Sequence, residues 1–139
     1  MKYEFTGKTK VENYVTLRQI KRLSDGLIGG WLEKEENLSQ DGDCFVSGNA
    51  RVTGNAEVTG NALVTGNALV FGNARVYDNA CVFDNAWVYG DAWVFGNAWV
   101  YSYARVSGDA LVYGDARVSD YATEKVDSFL QNMLVCFHT

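Results

Sequence analysis

The chain has 139 residues, with 14 glycines, four tryptophans and no proline, and 14% of its residues are aromatic. That length suits one domain, and no stretch approaches the roughly 18 consecutive apolar residues of a membrane-spanning helix. The formal net charge of −5 argues against a general nucleic-acid binder, which needs a basic surface to neutralise phosphates.

Residues 1–43 lack the periodicity of the rest of the chain and are predicted to form a small β cap. Residues 14–20 partly alternate apolar and polar side chains, which is typical of a strand. Residues 24–26 read Ser-Asp-Gly, a turn signal, and residues 27–32 are expected to form a short buried strand or turn. Residues 33–40 are predicted to be a polar loop. The N-terminus has no apolar signal-peptide segment, so we expect a cytoplasmic protein.

From residue 44 to residue 122 the chain repeats a six-residue unit, G-[ND]-A-x-V-x, without a shift of register. Valine recurs at every sixth position from Val46 to Val118, and alanine does so from Ala50 to Ala122. Residues two apart in a strand point to the same face. Alanine and valine should therefore lie inward, with the residue between them outward. Gly-Asn and Gly-Asp tolerate positive φ and can turn the chain after each short strand.

This pattern predicts an all-β fold, a left-handed parallel β-helix of about four coils, each made of three hexapeptides. Each strand would pair with the equivalent strand of the next coil, and the narrow interior accounts for the small inward residues. The ends of such a rod expose unpaired strand edges and need caps. The predicted organisation is an N-terminal cap at 1–43, the β-helix at 44–122 and a C-terminal amphipathic helix at 123–139.

The predicted C-terminal helix has one apolar side. Its apolar residues recur at helical spacing; they are Val126, Phe129, Leu130, Met133, Leu134 and Phe137. This stripe could fold over the last coil of the same rod or pack against another subunit. The sequence leaves both alternatives open.

The segment GGWLEKEENLSQDGDCFVSGNARV at residues 29–52, followed by GNA repeats, resembles the YdcK-type hexapeptide-repeat proteins. The preceding YEFTGKTKV and TLRQIKRLSD are similar to the same group, so the resemblance covers almost the whole chain. It implies a left-handed β-helix from bacteria or, in short forms, from phages and prophages. Members are often labelled transferases, but that label rests on the fold alone.

The residues do not supply the chemistry of two well-known enzyme groups with this fold. Hexapeptide acyltransferases, which the repeat resembles, use a histidine base and an extra loop that helps to hold the acyl donor. The γ-type carbonic anhydrases hold zinc with three histidines. This chain has one histidine, His138, outside the repeats, and no loop interrupts them. We therefore predict no catalytic residue, no metal site and no cofactor.

Other polar residues of the repeats have structural interpretations. The aspartates occupy corner positions and are predicted to be turn residues rather than paired carboxylates; they are Asp78, Asp84, Asp91, Asp109, Asp115 and Asp120. The cysteines show no metal-binding spacing and are predicted to be reduced and mostly buried; they are Cys44, Cys81 and Cys136.

The outward positions are free of the demands of the core, and aromatic residues concentrate there in the middle coils. Sorting them by coil places Trp87, Trp93 and Trp99 on three different faces of one coil. Together with neighbouring phenylalanines and tyrosines they predict a belt of rings around the rod. Such rings suit strand ladders, but they are also enriched at binding hot spots. The predicted protein-contact residues are Trp87, Trp93, Trp99, Phe83, Tyr89, Phe95, Tyr101, Tyr103 and Tyr121.

We therefore expect a non-catalytic protein that binds protein through this belt. The partner is either another copy, giving a homo-oligomer, or a different protein; membrane and direct nucleic-acid binding are not expected. Because short relatives occur in phages, one concrete form is an anti-defence inhibitor, for example of a CRISPR effector. Two alternatives remain: an acyltransferase-like enzyme whose base is His138 or an aspartate, and a structural module of a phage fibre or spike.

Overall fold

The computed structural model describes residues 1–119 of the chain. The predicted helix at 123–139 with its apolar stripe lies outside the described residues, and so do Asp120, Tyr121, Cys136 and His138. Among the described residues, the structure has no helix with the length and hydrophobicity to cross a membrane.

The N-terminal segment begins with a hairpin of two long antiparallel strands, β1 (Tyr3–Glu12) and β2 (Val15–Arg22). The turn between them uses positive φ at Asn13 and Tyr14. Strand β3 (Ile28–Leu32) pairs antiparallel with β2, and a 3-10 helix spans Glu35–Asn37. The strands predicted near residues 14–20 and 27–32 are thus present, and the polar loop contains one helical turn.

The repeats form two-residue strands, one in each hexapeptide. They are β4 (Phe45–Val46), β5 (Arg51–Val52), β6 (Glu57–Val58), β7 (Leu63–Val64), β8 (Leu69–Val70), β9 (Arg75–Val76), β10 (Cys81–Val82), β11 (Trp87–Val88), β12 (Trp93–Val94), β13 (Trp99–Val100), β14 (Arg105–Val106), β15 (Leu111–Val112) and β16 (Arg117–Val118). Each strand from β4 to β13 pairs in parallel with the equivalent strand of the next coil, as Arg51 does with Leu69. The predicted parallel β-solenoid is confirmed, and the handedness of the coil stays a prediction.

Three flat faces surround the core. The first face carries β3, β5, β8, β11 and β14, with the hairpin continuing its sheet; the second carries β6, β9, β12 and β15; the third carries β4, β7, β10, β13 and β16. Between the faces lies a single column of small side chains. The alanines and valines that form it, from Ala50 to Val118, are at most 2% exposed. The burial of both residues in every hexapeptide confirms that Ala-x-Val points inward.

The N-terminal segment adds a coil before the repeats start. Strand β3 pairs in parallel with β5, and Leu38 forms a parallel bridge to Val58. Strand β4 then pairs with β7 on the third face. With the repeats, this gives a solenoid of about five turns, since the first and third faces each carry five parallel strands.

Candidate interaction surface

The outward columns on the three faces are those that the repeat predicts. The first face stacks Arg51, Leu69, Trp87 and Arg105; the second stacks Glu57, Arg75, Trp93 and Leu111; the third stacks Leu63, Cys81, Trp99 and Arg117. The three tryptophans therefore lie on three faces of one coil. Their rings point in three directions, so one flat partner cannot cover all of them.

The rings after the valines form stacked columns beside each tryptophan. Phe71 and Tyr89 are parallel with ring centroids 4.8 Å apart, and Phe83 and Tyr101 are 5.1 Å apart. A third column stacks Tyr77, Phe95 and Tyr113 at 4.9 and 5.0 Å. We call these columns with the three tryptophans the aromatic belt. Such contacts add to stability beyond the area that they bury.

Each tryptophan is held between neighbouring rings. Trp99, for example, meets Phe83 edge to face at 5.7 Å and Tyr101 at 6.4 Å between centroids, and Trp87 and Trp93 have equivalent neighbours. These contacts favour the observed orientation of the indole.

Arginines lie over the indole rings. The guanidinium of Arg105 is 4.1 Å from the centroid of Trp87, and that of Arg117 is 4.2 Å from Trp99. Each arginine also donates to carbonyls of its own corner and of the coil below, such as Asn85 O for Arg105 at 3.0 Å. On the second face the cation comes from the coil below, and Arg75 is 5.9 Å from Trp93. The tryptophans thus combine an apolar ring with a fixed positive charge.

The belt is less exposed than outward positions alone suggest. The three tryptophans expose 37–41% of their surface, and the phenylalanines and tyrosines of the stacked columns are half-buried. The rings cover one another's faces, so part of the predicted patch is already used for packing within the chain. The remaining exposed part consists of indole surfaces framed by arginine and tyrosine.

Tyr103 lies apart from the stacked columns at a corner. It replaces the usual asparagine and exposes 48% of its surface. Tyr121 holds the same corner position one coil later in the sequence, but it lies outside the described residues, so its role in protein contact stays a prediction.

A cavity between the hairpin and the first face was not predicted. It has a volume of about 300 Å³ and is lined by residues of both parts, among them Glu12, Leu17, Arg51 and Leu69. Arg51 and Leu69 belong to the predicted outward column, but nothing in the repeat indicates that residues 12–17 lie against them. No short-range sequence signal could have found this site.

The titratable groups of the described residues do not form a metal-binding cluster. Residues 1–119 contain no group of three or more His, Cys, Asp or Glu side chains placed to hold a metal ion. Cys44 and Cys81 are free thiols; Cys44 is buried at an alanine position and Cys81 is half-buried on the third face. Burial raises the pKa of Cys81, which makes its thiolate less available at neutral pH.

Asp78 and Asp84 occupy the glycine position of two corners. Their side chains accept hydrogen bonds at 3.1 Å from the backbone N–H of Gly96 and Ser102, the equivalent residues one coil later. These two carboxylates therefore support the turns, as the sequence predicts.

Stacked six-residue coils with an alanine–valine core define the class of this chain as a parallel β-solenoid repeat protein. Within that class, residues 45–59, 74–90 and 104–120 match the family model described as the YdcK Beta solenoid repeat. These three segments therefore match the YdcK beta-solenoid repeat, which confirms the resemblance seen in the sequence. None of the curated proteins compared with the chain matches it significantly.

Proposed function

We propose that this protein is a non-catalytic binding module that recognises protein through the aromatic belt. The observation that supports this most is the single coil that presents Trp87, Trp93 and Trp99 on three faces, each ring held by neighbouring aromatic side chains. Tryptophan, tyrosine and arginine are the residues most enriched at binding hot spots, and all three occur together here.

Preorganisation is the physical reason why this surface suits binding. Ordering a mobile side chain at an interface costs roughly 0.5–1.5 kcal/mol. In the belt, stacking and the arginine contacts hold the indoles. Their side-chain entropy is therefore lost when the protein folds and not when a partner binds. The exposed part of each indole is then available to a partner at little further loss of entropy.

The arrangement also bears on the kind of partner. Three faces that each carry one tryptophan suit either several copies of the chain packed side by side or a partner that wraps around the rod. A homo-oligomer is the simpler form. Because the repeat resembles proteins of phages and prophages, a bacterial defence component such as a CRISPR effector is the other partner to test, in which case the protein acts as an inhibitor.

Replacing the three tryptophans with serine tests the proposal. The matched control replaces Leu63, Leu69 and Leu111, which occupy the same hexapeptide position on the same three faces outside the belt coil. Size-exclusion chromatography with light scattering measures self-association, a pull-down from bacterial lysate measures partner capture, and circular dichroism measures melting.

We expect the tryptophan variant to remain folded but to lose self-association or partner capture, and the leucine variant to keep them. A wild-type protein that is monomeric and captures nothing specific would contradict the proposal. Self-association and partner capture retained in the tryptophan variant would show that the belt serves only strand packing, and calorimetric binding of acetyl-CoA would favour the acyltransferase alternative.

A further inference from the structure

The tip of the hairpin reaches beyond the strand that supports it. Strand β2 pairs with β3 only as far as Arg18 opposite Leu32, so the part of the hairpin from Glu12 to Leu17 continues past the end of β3. The carboxylate of Glu12 meets the guanidinium of Arg51 on the first face at 2.9 Å. This ion pair fixes the tip against the solenoid.

The space under the hairpin tip is the cavity of about 300 Å³. Val15 and Leu17 line it from the hairpin, and Leu69, Phe71 and Trp87 line it from the first face. Leu17 is 1% exposed, so its side chain is a fixed wall. Ligand sites of proteins have about 300–1,000 Å³, mostly apolar walls and a few polar groups, and this cavity fits the lower end of that description.

The polar edge of the cavity carries the ion pair of Glu12 and Arg51, and Lys10, outside the lining, contacts the same carboxylate. Arg51 and Lys10 both contact Glu12, at 2.9 and 3.1 Å, so two cations share one carboxylate. The hydrogen bond from Arg51 holds the pKa of Glu12 below its ordinary value, and Glu12 stays ionised at neutral pH. One positive charge is left over in a protein whose overall charge is −5.

Arg51 also has an unused donor. Its Nη1 donates to Glu12 and its Nη2 donates to the carbonyl of Asn67 at 3.3 Å, while its Nε is buried without an acceptor among the described residues. A buried donor without a partner is unfavourable. Arg51 lines the cavity and its side chain as a whole is 26% exposed, so an acceptor in the cavity would meet its Nη atoms and not the buried Nε.

We propose that this cavity binds a small aromatic carboxylate. The ring of the ligand packs among Leu69, Phe71 and Trp87, and its carboxylate accepts hydrogen bonds from the guanidinium of Arg51. The hydroxyl of Thr53, which also lines the cavity, offers a second donor. Glu12 excludes a second anionic group from that edge, so the ligand class is a monoanion with one flat apolar body. The site shares Phe71 and Trp87 with the belt, but its small-molecule ligand goes beyond the protein binding proposed for the belt.

Calorimetric titration with 2-naphthoate tests the proposal on the full chain. Neutral 2-naphthalenemethanol keeps the shape and lacks the charge, and cyclohexanecarboxylate keeps the charge and lacks the flat ring. We expect 2-naphthoate to bind at least tenfold more tightly than either. Absence of binding at millimolar 2-naphthoate, or equal binding of the neutral compound, would overturn the proposal.

A matched pair of variants locates the ligand. Leu69→Trp fills the cavity, and Leu63→Trp places the same side chain at the same hexapeptide position on the third face. Both should fold, because tryptophan occurs naturally at this position at residues 87, 93 and 99. We expect Leu69→Trp to abolish binding and Leu63→Trp to leave it unchanged; retained affinity in Leu69→Trp would refute the assignment.

Arg51→Lys separates charge from hydrogen bonding. Lysine keeps the positive charge beside Glu12 but lacks the planar guanidinium donors. We expect at least a fivefold loss of affinity for 2-naphthoate with little change in melting temperature, and an unchanged affinity would remove Arg51 from the site. Trp93→Ser and Trp99→Ser lie on the other two faces and should leave 2-naphthoate binding intact even where they abolish protein binding.

Discussion

At the scale of single residues, one backbone position decides whether each hexapeptide can turn. The first corner residue has positive φ in coil after coil, from 62° at Gly54 to 68° at Gly72. Only glycine adopts this conformation without strain. Ser102 nevertheless occupies it at φ 56°.

Ser102→Gly is therefore expected to stabilise the protein. The left-handed region costs a non-glycine residue about 1–2 kcal/mol, and the more flexible unfolded chain of glycine offsets about half of that. We expect the free energy of unfolding, measured with urea, to rise by roughly 0.5–1 kcal/mol.

The neighbouring corner provides a matched reverse change. Gly96 has φ 67°, and its N–H donates to Asp78 as that of Ser102 donates to Asp84, both at 3.1 Å. A Cβ at residue 96 would lie 2.8 Å from the backbone nitrogen of Gly114. We expect Gly96→Ser to lower the free energy of unfolding by at least about 1 kcal/mol, and an increase there, or a decrease in Ser102→Gly, would refute this account of the corners.

At the scale of elements, the first coil has no hexapeptide repeat and is held instead by hydrogen bonds from side chains. Asn37 is buried, and its amide accepts from the N–H groups of Glu33 and Lys34 and donates to the carbonyls of Gly54 and Ala56. The hydroxyl of Tyr3 likewise donates to the carbonyl of Leu38 at 2.6 Å. These long-range bonds build a coil from residues that have no hexapeptide pattern, which explains why the sequence alone did not reveal it.

The ion pair at the hairpin tip should make stability depend on pH. The pKa of Glu12 is lower in the folded protein than its ordinary value of 4.5, so its contribution is present above that value. The contribution is lost as the pH falls through the folded pKa. We expect Glu12→Gln to lower the free energy of unfolding at pH 7 by less than about 1 kcal/mol, since the pair is partly exposed, and this difference should vanish in acid.

Urea unfolding of both proteins between pH 7 and pH 2 measures this difference. The control is Glu4→Gln on the same strand, whose carboxylate lies 3.7 Å from Lys21 and is half exposed. An exposed pair at that distance contributes little, so this variant should match the wild type throughout. A Glu12→Gln difference that persists undiminished at pH 2 would show that the ion pair is not its source.

At the scale of the whole molecule, the sequence predicts the features that the six-residue period determines. It does not predict contacts between segments that are distant along the chain. The inward Ala-x-Val pattern, the pairing of equivalent strands and the outward columns with Trp87, Trp93 and Trp99 all follow from a fixed six-residue unit. The contact between Glu12 and Arg51 does not, because it depends on the path of a hairpin with no counterpart in the repeats. The half-burial of the belt was missed as well, since outward orientation does not reveal stacking between coils.

The identical core of every coil leads to a prediction about length. Each coil contacts only its neighbours, so stability should be close to a sum over coils and their interfaces. Deleting residues 60–77 removes one coil and joins Thr59 to Asp78, which has the same positive φ as the lost Gly60. We expect a cooperative fold with lower stability and a urea m-value smaller by roughly one eighth, because 18 of the 139 residues are removed and the m-value scales with the surface exposed on unfolding.

Deleting residues 60–68 removes half as many residues. Because nine is not a multiple of six, the residues that follow no longer occupy their own positions in the hexapeptide. Leu69 then falls at the positive-φ corner, Phe71 at an inward alanine position and Asn73 at an inward valine position. A large ring does not fit the narrow core, and a buried amide without partners is costly. Circular dichroism should therefore show the shorter deletion to melt well below the longer one. If the two deletions melted alike, the phase of the hexapeptide would not control the fold, and the assignment of faces, belt and hairpin cavity would lose its basis.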